Sequence, residues 1–75
     1  MMATLPVISG EAALRAFERA GWSRARQKGS HVSMVKHGVN ANLSIPLHRE
    51  LDRGTLRKLI RLAGLSVEEF VALLG

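Results

Sequence analysis

The amino-acid sequence predicts an α+β fold, a three-stranded antiparallel sheet with helices packed on one face, in the order α-β-β-β-α-α. Apolar residues recur at helical spacing near both ends of the chain, the period shortens to alternation in the middle, and glycines fall where one pattern gives way to the next. At 75 residues the chain has room for one core, so residues 1–75 are expected to form a single domain in which 1–8 are irregular. With 47% hydrophobic and 23% charged residues, the composition excludes a disordered tail and a collagen-like repeat.

Ser9 is suited to cap the first helix, because its hydroxyl accepts from an orphan backbone N–H, and Glu11 complements the positive end of the helix dipole. Leu14 and Phe17, with Ala13 and Ala20 beside them, form the inner face, while Glu11, Arg15 and Arg19 recur every four residues on the wet side. Gly21 stops the helix.

Alternation then predicts strands over Trp22–Lys28, His31–His37 and Ala41–Ile45, joined at Gly29-Ser30 and Gly38-Val39-Asn40. In the second strand Val32 and Met34 fall on one face and His31, Ser33, Val35 and His37 on the other. In the third, Ala41, Leu43 and Ile45 point inward and Asn42 and Ser44 outward, and Pro46, which has no N–H to donate, ends it. One face of the sheet is therefore expected to be covered and the other open. Asp52 caps a second helix with Leu56, Leu59, Ile60 and Ala63 inward, ending at Gly64. Ser66 and Glu69 form a capping box for a third, with Val67, Phe70, Val71 and Leu74 on its inner face.

Eleven Lys and Arg against six Asp and Glu give a net charge of +5, which points to an anionic partner such as nucleic acid. The charge is concentrated in the middle. Arg24, Arg26, Lys28 and Lys36 lie within 22–37 with no acid, and five cations lie within 49–61 against Glu50 and Asp52. Arg53, Arg57 and Arg61, spaced by four, form one stripe on the second helix, which serves either to follow a phosphate backbone or as a solvated face. The N-terminal residues lack a basic region and a long apolar run, so neither a signal peptide nor a membrane span is expected and residence is read as cytoplasmic. Cysteine is absent, which excludes disulfides and thiolate metal sites.

His31, directly after Gly29-Ser30 and near Arg26 and Lys28, is the candidate for chemistry. An imidazole, ordinarily titrating near pH ~6.5, exchanges protons with an oxygen at neutral pH while neighbouring cations hold a phosphate. The alternative is an ordinary surface histidine. His31, His37 and His48 have no metal-ligand spacing, so no metal and no cofactor is expected, and His48 is a secondary candidate for a polar contact with substrate. Ser30 adjoins His31 and shapes the turn rather than serving as its nucleophile. Gly29-Ser30 lacks the spacing and the following helix of a nucleotide-binding loop, and Trp22 after a helix stop is read as core.

Three motifs carry a family resemblance: Arg26-Gln27-Lys28-Gly29-Ser30-His31-Val32, then Ile45-Pro46-Leu47-His48-Arg49-Glu50-Leu51, then Gly54-Thr55-Leu56-Arg57. Together with Ala20-Gly21-Trp22 and Ala63-Gly64-Leu65-Ser66, they resemble the HicA toxin family over nearly the whole chain after residue 8. The resemblance implies a fold similar to a double-stranded-RNA-binding domain and a ribosome-independent messenger-RNA endoribonuclease, and the proton transfers expected of a histidine require no metal. It also implies a catalytic histidine in the Gly-Ser-His motif, here His31, and a HicB-type antitoxin as partner. Val32 stands where many members carry a second histidine, and Arg53 where many carry proline. Candidate RNA contacts are Arg26, Lys28, Ser30, Lys36, His48, Arg53, Arg57 and Arg61. The competing reading is a non-catalytic RNA-binding module of the same fold; a protein-binding adaptor is a third. Weak self-association is compatible with each, and none involves a membrane.

Overall fold

A computed structural model describes residues 4–75. The chain runs through α1 (Gly10–Arg19), β1 (Ser23–Lys28), β2 (His31–Val35), β3 (Leu43–Pro46), α2 (Arg53–Leu62) and α3 (Val67–Leu73). The three strands form one antiparallel sheet in the order β1-β2-β3.

Each helix starts where its cap residue offers an acceptor. Ser9 accepts from the N–H of Ala12, Asp52 from that of Thr55, and Ser66 from that of Glu69. At α3 the bond is reciprocal, because the Glu69 carboxylate accepts from the Ser66 N–H at 2.8 Å. That charge-assisted bond holds the Glu69 carboxyl below the ordinary glutamate range. The Ala20 N–H closes the last turn of α1 before Gly21 breaks it.

α1 and α2 pack on the face of the sheet that carries Val32, Met34, Leu43 and Ile45, and α3 packs against α1 and α2. These four join Leu14, Phe17, Leu56, Ile60 and Phe70 in one buried cluster. Phe17 and Phe70 meet with ring centroids 5.0 Å apart, tying α1 to α3, and the Arg19 guanidinium adds a hydrogen bond to the Leu73 carbonyl at 2.6 Å. Trp22 is buried as expected. Its Nε1–H meets no acceptor among the described residues, so packing alone holds the indole.

The strands are shorter and shifted relative to the sequence reading. β1 starts at Ser23, after Trp22 has turned into the core. β2 stops at Val35 because the Lys36 carbonyl accepts from the Val39 N–H and closes a turn, which leaves His37 outside the sheet. β3 begins at Leu43, so Ala41 and Asn42 belong to the connection, and it takes in Pro46 as its last residue opposite His31. Residues 4–8 form no helix or strand, with 1–3 outside the described residues, yet Leu5 is buried in the core. Periodicity gave no signal for a lone apolar anchor in an extended segment.

Candidate functional site

The hairpin between β1 and β2 fixes the position of His31. Lys28 and His31 are paired across a two-residue loop, Gly29-Ser30. Gly29 has φ +60° and Ser30 does not enter positive φ, the pattern of a type II′ turn, whose twist matches the strands it joins. The first residue of β2 is thereby held at the end of the sheet, and Ser30 shapes the turn.

Residues opposite one another in antiparallel strands share a face. Because Val32 and Met34 are buried, His31 and Ser33 project to the uncovered side, and the register brings their partners with them. Lys28, His31 and Pro46 make one row across the sheet, and Arg26, Ser33 and Ser44 make the next. Arg26, Lys28 and His31 are exposed, and the strands carry no acidic residue. Among the described residues neither Arg26 nor Lys28 has a carboxylate partner.

Arg24 is different, although it is two residues from Arg26. The pairing slips between Arg24 and Arg26, leaving Ala25 as an extra residue and placing Arg24 opposite buried Met34. Its guanidinium then faces α1, with Nε 3.2 Å from Glu18 and Nη2 3.2 Å from Glu11. The hydrogen bond to Glu18 is the main cause of a pKa raised above the ordinary arginine value. The bulge thus removes one cation from the open face.

Lys36 is also committed elsewhere. Its ammonium donates to the Ala20 carbonyl at 2.9 Å, satisfying the C-terminal end of α1 beyond the far end of β2 from His31. Arg53, Arg57 and Arg61 are exposed on the side of α2 away from Leu56, Leu59 and Ile60. They belong to the helical layer and not to the open sheet face. Arg53 begins the stripe where the loop from β3 enters α2.

That loop carries His48 to the site. The His31 and His48 ring centroids lie 6.3 Å apart, with their planes at 78°. Separated by the whole of β2, a connection and β3, the two histidines share no sequence period that records their proximity. Pro46, which ends β3 opposite His31, is the one clue, since the chain two residues later has had little length in which to leave. Among the described residues, no three His, Cys, Asp or Glu side chains are grouped to hold a metal ion. No helix is long and apolar enough to cross a membrane among them.

Together the site offers two exposed imidazoles beside two cations, on strands that carry no acidic residue. This is a set of groups able to bind a phosphodiester and move protons at its oxygens. Residues 10–65, which include both histidines, match the family described as the HicA toxin of bacterial toxin–antitoxin systems. One chain in a solved structure titled as a toxin–antitoxin complex from Streptococcus pneumoniae is similar, with TM-score 0.68 and 34% identity. The match covers 77% of this chain and 98% of that one. No curated protein matches the sequence.

Proposed function

The chain belongs to the HicA toxin family of bacterial toxin–antitoxin systems, and from that premise we propose that it is an endoribonuclease that cuts messenger RNA with His31 as its catalytic residue. The observation that carries this reading is the exposed His31 ring at the head of β2, in one row with Lys28 on strands that carry no acidic residue. Single-stranded RNA lies across that face, where Arg26 and Lys28 neutralise phosphates and Ser33 and Ser44 offer hydroxyls between them. The α2 arginines extend the positive field past the loop to RNA that leaves the sheet. His31 exchanges a proton with the reacting ribose or with the leaving oxygen. The 2′-hydroxyl attacks the adjacent phosphorus, the bond to the 5′-oxygen breaks, and the products end in a 2′,3′-cyclic phosphate and a 5′-hydroxyl. No step requires a metal, and cleavage persists in chelator.

The toxin acts in the cytoplasm on its RNA and is silenced by an antitoxin of the HicB type. An acidic antitoxin surface over Arg26, Lys28 and His31 both matches their charge and blocks access. Purified chain is incubated with messenger RNA, with and without antitoxin, and the product ends are analysed beside His31→Ala. Cleavage by the wild type alone, giving cyclic phosphate ends, is the expected result. Binding without cleavage supports the non-catalytic RNA-binding reading instead, and 3′-hydroxyl with 5′-phosphate ends exclude the ribose route.

A further inference from the structure

Transfer of the phosphoryl group to the ribose 2′-oxygen needs two proton movements at opposite sides of phosphorus. A base takes the proton of the attacking 2′-hydroxyl, and an acid gives one to the departing 5′-oxygen, so that neither an unattacking hydroxyl nor a free alkoxide is left. One imidazole performs one of these in a given turnover step. We infer that His48 performs the other, so that His31 and His48 form an acid–base pair; this rests on the endoribonuclease reading of the same face.

Position is the first argument. The ring centroids are 6.3 Å apart and the planes nearly perpendicular, so the rings do not stack, and a phosphodiester seated over Lys28 and His31 comes within reach of both. Both residues are exposed, and among the described residues neither ring has a hydrogen-bond or ion-pair partner.

The second argument is how firmly the loop is held. The Leu47 N–H donates to the Ser30 carbonyl at 2.6 Å, which joins the residue before His48 to the residue before His31. On the other side the Gly10 N–H donates to the His48 carbonyl at 2.9 Å, and the Leu51 N–H to the Ile8 carbonyl at 2.8 Å. Gly10 itself packs so closely that a Cβ there clashes with the Pro46 carbonyl oxygen. A surface loop with an incidental histidine has no need of such anchoring. Here backbone bonds fix the spacing of two imidazoles, and both side chains are left for a ligand.

Elimination is the third. A guanidinium is a hydrogen-bond donor and not a proton-transfer group, the strands hold no carboxylate, and His37 lies beyond the far end of β2. No other group that exchanges protons near neutral pH is brought to His31 by the sheet.

The experiment compares wild type, His31→Ala and His48→Ala on two RNA substrates. One is ordinary; the other carries sulfur in place of the 5′-oxygen at the scissile linkage, a leaving group that departs without being protonated. On ordinary RNA, His48→Ala is expected to lower kcat by about 100-fold or more, with KM within about threefold of wild type. On the sulfur substrate one of the two variants recovers to within about tenfold of wild type and the other does not, which identifies the acid and the base. The thermal midpoint of His48→Ala stays at the wild-type value, because its anchoring bonds are made by the backbone. A His48→Ala enzyme with wild-type kcat, a loss confined to KM, or equal behaviour of both variants on the sulfur substrate overturns the pair. If wild type cuts and His31→Ala does not while His48→Ala is unaffected, only this inference fails. If wild type itself does not cut, the endoribonuclease reading fails with it.

Discussion

The two faces of the sheet are made from the same three strands, yet they are built to opposite ends. On the covered face Val32, Met34, Leu43 and Ile45 are buried beneath the helical layer, and Arg24, which the bulge turns to that side, is held by two carboxylates of α1. On the open face Arg26, Lys28 and His31 stand in water without acidic partners among the described residues. The buried packing therefore lies on one side and the unpaired cations with the proposed catalytic histidine on the other, with β2 contributing alternate residues to each. A substitution on one face is expected to change one property with little effect on the other, and that separation is the feature to test.

The largest effects lie at the two extremes. Phe17→Ala removes the ring that joins α1 to Phe70 of α3 and is expected to cost about 3–5 kcal/mol, most of the stability available to a core of this size. Urea denaturation measures it. His31→Ala is expected to change stability by no more than about 0.5 kcal/mol while lowering the cleavage rate by about 100-fold to 10,000-fold. If His31→Ala unfolds the protein, the faces are not independent.

Gly10→Ala tests the one place where the two properties meet. The new methyl has no room against Pro46, and an overpacking cost of about 1–3 kcal/mol is expected. Because the same displacement moves the loop that carries His48, cleavage falls even at temperatures where the variant remains folded. Full activity in a folded Gly10→Ala protein shows that the loop position is immaterial.

A subtler contrast separates Arg24 from Arg26 and Lys28. Removing the latter pair is expected to weaken RNA binding and to flatten the dependence of log affinity on log salt by about 0.7 per cation. Arg24→Ala leaves that slope unchanged, since its charge is already matched by Glu11 and Glu18. A salt titration of each variant decides whether the bulge divides the cations as described.

The smallest effect concerns the far helix. Glu69 is held below the ordinary glutamate range by the Ser66 N–H, so its contribution to stability is present above that range and lost as the pH falls through the folded value. The gap in thermal midpoint between wild type and Glu69→Ala narrows on acidification through the carboxylate range. A gap independent of pH implies that the capping box works through geometry and not through charge.

Much of this architecture is legible in the amino-acid sequence. The caps at Ser9, Asp52 and Ser66 are local, each depending on a side chain and a backbone N–H three residues on, so reading them required no tertiary knowledge. The sidedness of β2 followed from alternation, which is why His31 was expected in solvent and found there. Strand ends were read less well, because pairing partners and turns decide them: Lys36 and His37 continue the alternation in sequence but are taken out of the sheet by the turn to Val39. Lys36 also illustrates how a cation among candidate RNA contacts becomes a structural donor once a helix end is brought to it.

Element order, helix caps, the covered and open faces, and the exposed histidine after Gly29-Ser30 are all written in the amino-acid order, since each depends on neighbours within a few residues. Only the tertiary structure decided that the bulge turns Arg24 toward α1, that Lys36 serves the end of that helix, and that His48 returns to within 6.3 Å of His31. The physical reason is common to the three. Each depends on which backbone groups meet across a fold, and that information is held by strand register and chain crossing, where no local period records it.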